Sequence, residues 1–241
     1  MSKIGNALLT TTMVVGAAVA IAGGSAFAAD AVRPIASAPF APAWTSTPYV
    51  SVFGGLALAN DPSGQYSSDE WFQVPTNMGY LFGAAIGGYI TPNLRGEVEL
   101  SYVHHGVTGT MSIDGDSSET DSGSFNTLYA LGNIWYDIHP GSHITPYVGG
   151  GAGLAVVMPR VTNIYDDGID YQYVTDAYAP AVQLGVGFRV PVTDMMMLDV
   201  GYRAKAVFNA TLQESGADGD TPASGVSYID QTFQAGLTFT W

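Results

Sequence analysis

The strongest constraint on this chain is a period of two, in which apolar residues alternate with small or polar ones along segments of ten residues or more. Successive side chains on a strand point to opposite faces, whereas a helix groups its apolar residues at three- and four-residue intervals. The charges respect that alternation. From Leu94 onward, Arg95, Glu97, Glu99 and Ser101 share one parity, against Leu94, Val98, Leu100 and Tyr102 on the other. Asn133 and Asp137 oppose Leu128, Ala130, Ile134 and Tyr136; Gln183 and Arg189 oppose Val182, Leu184, Val186 and Phe188; Asp199, Arg203 and Lys205 oppose Leu198, Val200, Tyr202 and Phe208. The last strand, carrying Phe233, Ala235, Leu237, Phe239 and Trp241 on one parity, repeats the apolar set.

Eight such segments can be drawn: Tyr49 to Ala59, Asn77 to Ile90, Leu94 to Gly109, Ser124 to Ile138, Ile144 to Pro159, Tyr178 to Val190, Met195 to Leu212, and Ser227 to Trp241. Their connections alternate in length. Thr91-Pro92-Asn93, His139 to His143 and Pro191 to Asp194 read as tight turns, and the other four as long loops. An even number of strands with short turns on one side and long loops on the other predicts an all-β fold, an eight-stranded antiparallel up-and-down transmembrane β-barrel over residues 48–241. Both termini then fall on the short-turn, periplasmic side.

Alternation alone does not say which face points inward, because a soluble barrel alternates in the opposite sense. Charge density decides. A water-facing surface carries charge at roughly 25 to 35% of its positions, yet the charged parity holds chiefly Arg95, Glu97, Glu99, Asp137, Arg189, Asp199, Arg203 and Lys205 among Gly, Ser and Thr. That suits a filled lumen. Four bases and four acids predict an interior ion-pair network, since an unpaired buried charge is costly. Gly83, Gly87, Gly149, Gly151, Gly153, Gly185 and Gly187 are expected to leave room there for the long Arg and Glu side chains. The uncharged parity faces lipid, with Tyr102, Tyr136, Tyr202, Phe239 and Trp241 as interfacial girdles.

Residues 1–28 read as a secretory signal peptide, with Lys3 at its start, an apolar stretch from Ala7 to Ala22, and Ala26-Phe27-Ala28 as the cleavage pattern. Residues 29–47, containing Pro34, Pro39 and Pro42, read as a periplasmic linker. The formal charge of −14 and the absence of a basic patch argue against nucleic acid as a partner. With no cysteine there is neither a disulfide nor a thiolate metal site.

The candidate chemistry is thin. Acid gathers in the expected loops at Asp61, Asp69 and Glu70, at Asp114, Asp116, Glu119 and Asp121, at Asp166, Asp167, Asp170 and Asp176, and at Glu214, Asp218 and Asp220. Asp114-Gly115-Asp116 or Asp166-Asp167-Gly168-Ile169-Asp170 could take up Ca²⁺ or share divalent ions with lipopolysaccharide phosphates, but neither run has an EF-hand's ligand order, and the acids read as solvated loops. His104 and His105 read as rim histidines at the membrane interface, and no histidine has the serine two positions later that a His-x-Ser hydrolase pair needs. The interior carboxylates are read as structural partners of the bases. No catalytic residue, cofactor or metal is assigned.

The Pro/Ala linker, the run Gly88 to Tyr102, the run Thr145 to Gly153 and the terminal aromatic strand resemble the opacity-type, small porin-like (OmpA-like) outer-membrane β-barrels of Gram-negative bacteria. The resemblance covers almost all of residues 29–241, and departs at Ala43 to Val50, where the family's aromatic start of the first strand is only partly matched. It implies an integral outer-membrane protein with Phe239 and Trp241 in the strand end that the barrel-assembly machinery reads, and outer-membrane lipid and lipopolysaccharide as its surroundings. The expected role is structural and surface-exposed. Alternatives are a narrow channel for small solutes, or an adhesin binding a surface or host ligand through the acidic loops.

Overall fold

A computed structural model describes residues 48–60, 62–65, 71–73, 76–113, 116–138, 143–164, 170–173, 176–216 and 219–241. The expected signal peptide and linker, and Asp61, Asp69, Glu70, Asp114, Asp166, Asp167, Asp218 and His139, lie outside them. The elements are β1 (Pro48–Ala59), β2 (Ser63–Gln65), β3 (Trp71–Gln73), β4 (Gly79–Thr91), β5 (Leu94–Ile113), β6 (Asp116–Asp137), β7 (Thr145–Ile164), β8 (Asp170–Tyr173), β9 (Ala177–Thr193), β10 (Met196–Gly216) and β11 (Gly219–Thr240).

Eight long strands, β1, β4, β5, β6, β7, β9, β10 and β11, pair antiparallel with their neighbours in chain order. The ring closes where β1 meets β11, with Tyr49 opposite Thr240 and Val52 opposite Leu237. Closure leaves no edge strand, so the ladders run around the whole ring, as a hydrocarbon surrounding demands. The expected eight-stranded barrel is the fold.

The strands are longer than the sequence reading drew them. β5 and β6 stay in register out to Ile113 opposite Asp116, and β10 and β11 out to Gly216 opposite Gly219. Asp116, Glu119, Asp121, Glu214 and Asp220, expected in loops, are therefore on strands, and Asp170 starts β8. Ser-, Thr- and Asp-rich stretches resemble loops in isolation, but a growing hairpin supplies each with a ladder partner. Strands of 20 to 22 residues at about 3.4 Å per residue and a tilt of about 40° rise about 50 Å, roughly twice the apolar band of such barrels.

The short strands extend the ring on the long-connection side. Beyond the end of β1, β2 lies against β11 and β3, and β3 lies against β5. Likewise β8 runs between β7 and β10, beyond the end of β9. One register break matters for the lumen. Between Val207 and Ala210 the β10 ladder shifts, with Asn209 at a φ of 52° and Gly225 on β11 at 79°. A β-bulge of this kind re-aims the side chains that follow it, and Ala210 and Leu212 turn inward.

Lipid-facing side chains follow the uncharged parity. Val98, Leu100, Ile134, Leu154, Leu184 and Phe233 are all exposed on the wall, and Phe82 stacks on Tyr102 with ring centroids 5.3 Å apart. The inner glycines make room for charged chains as expected: a Cβ on Gly87 would lie 2.7 Å from Glu97 Cβ, and one on Gly185 3.0 Å from Arg203 Cγ. A Cβ on Gly83 would lie 2.7 Å from the Phe53 ring, one on Gly87 2.8 Å from Tyr49, and one on Gly187 2.5 Å from Tyr147. They therefore seat aromatic rings as well as the Glu97 and Arg203 chains.

Gly187→Ala is expected to lower stability by about 1 to 3 kcal/mol through overpacking, and Tyr147→Ala in the same chain to relieve part of that loss. Equilibrium urea unfolding of the refolded barrel in lipid vesicles measures both; a strictly additive double variant would reject ring seating as the cause.

Candidate functional site

Alternation carries the charged parity of every long strand into the lumen, and all eight residues named from the sequence point inward. Arg95, Glu97, Glu99, Asp137, Arg189, Arg203 and Lys205 are buried, and Asp199 is partly buried. They form two connected groups. Near the short turns, Asp137 accepts from Arg95 Nε at 2.9 Å, from Arg189 Nη1 at 3.4 Å and from the Tyr89 hydroxyl at 3.2 Å. Arg189 Nη1 also donates to Tyr89 at 2.8 Å, and Arg189 Nε lies 3.9 Å from Asp199.

Deeper in, Glu99 is the centre. Arg203 Nη1 reaches it at 2.5 Å, Lys205 Nζ at 2.6 Å, Gln183 Nε2 at 2.9 Å, Asn133 Nδ2 at 3.0 Å and Ser101 Oγ at 2.8 Å. Glu97 accepts from Tyr49 at 2.8 Å, from Trp135 Nε1 at 2.8 Å and from Asn133 at 3.1 Å. Aromatic faces cover the bases. Arg203 sits 4.6 Å from the Trp135 ring centroid, Lys205 Nζ 4.9 Å from Tyr129, and Arg95 5.3 Å from Tyr147, each within cation–π range.

Sequence reasoning left out a fifth acid. Asp230 on β11 is fully buried, accepts from the Tyr129 hydroxyl at 2.5 Å and pairs with His105 Nε2 at 2.9 Å. Its parity matches that of Gln234, so the alternation already marked it. His105 is corrected by the same contact. It is not a rim histidine but lies inside the lumen, 1% exposed, with Nδ1 also 3.0 Å from the Asn77 carbonyl. His104, one residue earlier, faces outward, where Nδ1 lies 2.6 Å from Asn126 Oδ1 and the ring tilts over Tyr80. A shift of one residue along a strand exchanges lumen for lipid.

The second correction concerns the medium inside. The lumen is not polar throughout. Toward the long-connection end it is filled by Leu81, Val103, Phe125, Val157, Leu212 and Val226 with their neighbours, a contiguous apolar cluster. Phe125 packs edge-on against Tyr228, whose hydroxyl meets Thr127 Oγ1. Among the described residues, the polar half holds a cavity of about 10 Å³ lined by Ser51, Arg95, Glu97, Asp199, Arg203 and Gln234, the size that admits about one water.

No three His, Asp or Glu side chains among the described residues converge as metal ligands. Of the candidates for Ca²⁺, Asp114, Asp166 and Asp167 lie outside them, while Asp116 and Asp170 start β6 and β8. Phe239 and Trp241 point outward at the end of β11, 42% and 62% exposed. Tyr136 is exposed in the same way, while Tyr202 packs on Phe233 with centroids 5.1 Å apart.

A family model described as outer membrane protein beta-barrel domain matches residues 15–240. Among solved structures, Neisserial surface protein A is 17% identical, with a TM-score of 0.47 over 80% of this chain and 97% of that one. OprG from Pseudomonas aeruginosa is 14% identical, with a TM-score of 0.47 over 80% and 97%. The outer membrane protease OmpT from Escherichia coli is 9% identical, with a TM-score of 0.51 over 81% and 97%, a likeness of fold alone. No curated protein sequence matches.

Lys205→Met strands the Glu99 carboxylate with one base fewer and is expected to cost about 3 kcal/mol or more, whereas Glu99→Gln together with Lys205→Met recovers much of the loss. Denaturant midpoints in vesicles decide it. A double variant whose loss equals the sum of the Lys205→Met and Glu99→Gln losses would show that the pair is not coupled.

Proposed function

The chain belongs to the outer membrane β-barrel domain family, and on that premise we propose that it serves the outer membrane as a closed structural barrel with a surface-exposed end. It is an outer-membrane protein. The observation that carries the closed reading is the filling of the lumen: a paired charge network toward the short turns, then an apolar layer toward the other end. Water and ions crossing such a barrel would have to break buried ion pairs and then pass apolar side chains, so the filled interior favours a structural role over a channel. The polar cavity beside Arg95 and Arg203, sized for about one water, is far too small for a solute path.

The reading is also non-enzymatic. The His105 and Asp230 pair has the look of a base and its orienting acid, but both side chains are buried, and the hydroxyls beside Asp230 and Thr127 belong to tyrosines engaged with them. A hydrolase needs its nucleophile within reach of a substrate.

For topology, we place the short turns and both chain ends in the periplasm, with export by the N-terminal signal peptide. Tyr49 opposite Thr240 sets the described ends of the barrel beside the short-turn side. Phe239 and Trp241 then stand at the periplasmic interface, as a terminal strand read by the assembly machinery would require. Lipid and lipopolysaccharide are the surrounding partners, and the extended outer end is where an adhesin-like contact with a surface ligand would occur.

Two measurements test this function. In planar bilayers the refolded protein is expected to give no unitary conductance; reproducible single-channel steps would replace the structural reading with the pore. Because the chain has no cysteine, Ser215→Cys and Asp194→Cys report orientation directly. A membrane-impermeant maleimide on intact cells is expected to label the first and spare the second, and the opposite pattern would invert the proposed topology.

A further inference from the structure

The chain carries seven Lys and Arg residues. Lys3 and Arg33 precede the barrel, and Arg95, Arg189, Arg203 and Lys205 are buried in the lumen. Arg160 is the one that remains. It lies on the outward parity of β7, directly across from Ser124 on β6, and its side chain is 46% exposed. Among the described residues of this protein of charge −14, Arg160 is thus the one Lys or Arg on the outside of the barrel wall.

Its depth is informative. Val148 on β7 pairs with Tyr136 near the short-turn end. Arg160 is about a dozen residues further along, which at about 3.4 Å per residue and a tilt of about 40° sets it about 30 Å higher, one bilayer core away. Outward rows across β5, β6 and β7 mark the same boundary. Tyr102, Leu128 and Val156 form an aromatic and apolar row; His104, Asn126 and Met158 form the next; Gly106, Ser124 and Arg160 follow. The side chains there are joined: His104 Nδ1 donates to Asn126 Oδ1 at 2.6 Å, and Asn126 Nδ2 donates to Ser124 Oγ at 3.1 Å. A cation, an amide, a hydroxyl and an imidazole therefore line the wall just where hydrocarbon gives way to headgroups.

We propose that this patch, with Arg160 as its cation and Ser124, Asn126 and His104 as its polar floor, binds a phosphate of an outer-leaflet glycolipid headgroup. Guanidinium groups suit phosphate because they offer parallel N–H donors to its oxygens. Arg160 already donates to Asp176 Oδ1 at 2.9 Å and to the Pro159 carbonyl at 2.6 Å. The exposed Asp176, just before β9, is then a competitor for the guanidinium that a phosphate must displace. The site names one partner chemistry for the surface-exposed end and rests on the topology proposed above.

The test uses the full barrel refolded into phospholipid vesicles containing lipopolysaccharide, enzymatically dephosphorylated lipopolysaccharide, or neither. Phosphorylated lipopolysaccharide is expected to raise the thermal unfolding midpoint of the native chain and the dephosphorylated form to raise it much less. Arg160→Gln should lose most of that difference, with binding weakened roughly tenfold. Asp176→Asn should enlarge it. Arg160→Gln keeping the full difference overturns the site, as does dephosphorylated lipid acting equally well. If Arg160→Gln and Asp176→Asn instead lower the midpoint alike in all three vesicles, the pair is only a surface salt bridge. Lipopolysaccharide is present in both leaflets of such vesicles, so this readout is independent of how the barrel faces in the cell, and the cysteine labelling above separately tests that topology.

Discussion

Glu99 is the interaction on which the rest of the barrel turns. Its carboxylate accepts from five side chains supplied by four strands: Ser101 on its own β5, Asn133 on β6, Gln183 on β9, and Arg203 and Lys205 on β10. A buried carboxylate is tolerable only when its lone pairs are met this fully. Because the partners come from opposite walls, meeting that demand also sets how those walls align. A slip of one residue in β5, β6, β9 or β10 would send Glu99 or a partner into lipid. The network is thus as much a register device as a source of stability, and the cross-lumen contacts act where hydrogen bonds between adjacent strands cannot.

The division of the lumen into a charged half and an apolar half gives the protein its closed character. Paired charges fill the end beside the short turns, and aromatic rings seated over glycine fill the space between them. The other half packs like the interior of a soluble protein. His105, Asp230, Tyr129, Thr127 and Tyr228 form the seam between the halves, using hydroxyls and one imidazole where full charges give way to hydrocarbon. The outer wall repeats the change of medium in reverse, with apolar rows that end at His104, Asn126 and Arg160.

Much of this was legible from parity alone. The charged face, the lipid face, the eight strands and the side bearing the short turns all follow from a period of two and from loop length. Asp230 and the inward Trp135 and Tyr147 share the parity of the charges and could have been found by the same rule. Leu212 could not, because the bulge at Asn209 breaks the parity and no local residue pattern announces it. His105 was misread because a charged-looking residue at a strand's far end resembles a rim residue unless its partner, 125 positions away, is known. The acidic stretches of β6, β10 and β11 were misread for a related reason: their strand character comes from the hairpin partner and not from their own propensity.

What the sequence by itself determined is which residues share a face and which medium each face meets, because alternation and the scarcity of charge are local properties of the chain. What only the tertiary structure decided is which residues touch across the lumen, how far the strands continue, and where the interior turns from polar to apolar. Those depend on closure. Once the first and last strands join, residues a hundred positions apart become neighbours in a space of fixed width, and each must be paired, stacked or shortened to glycine to fit.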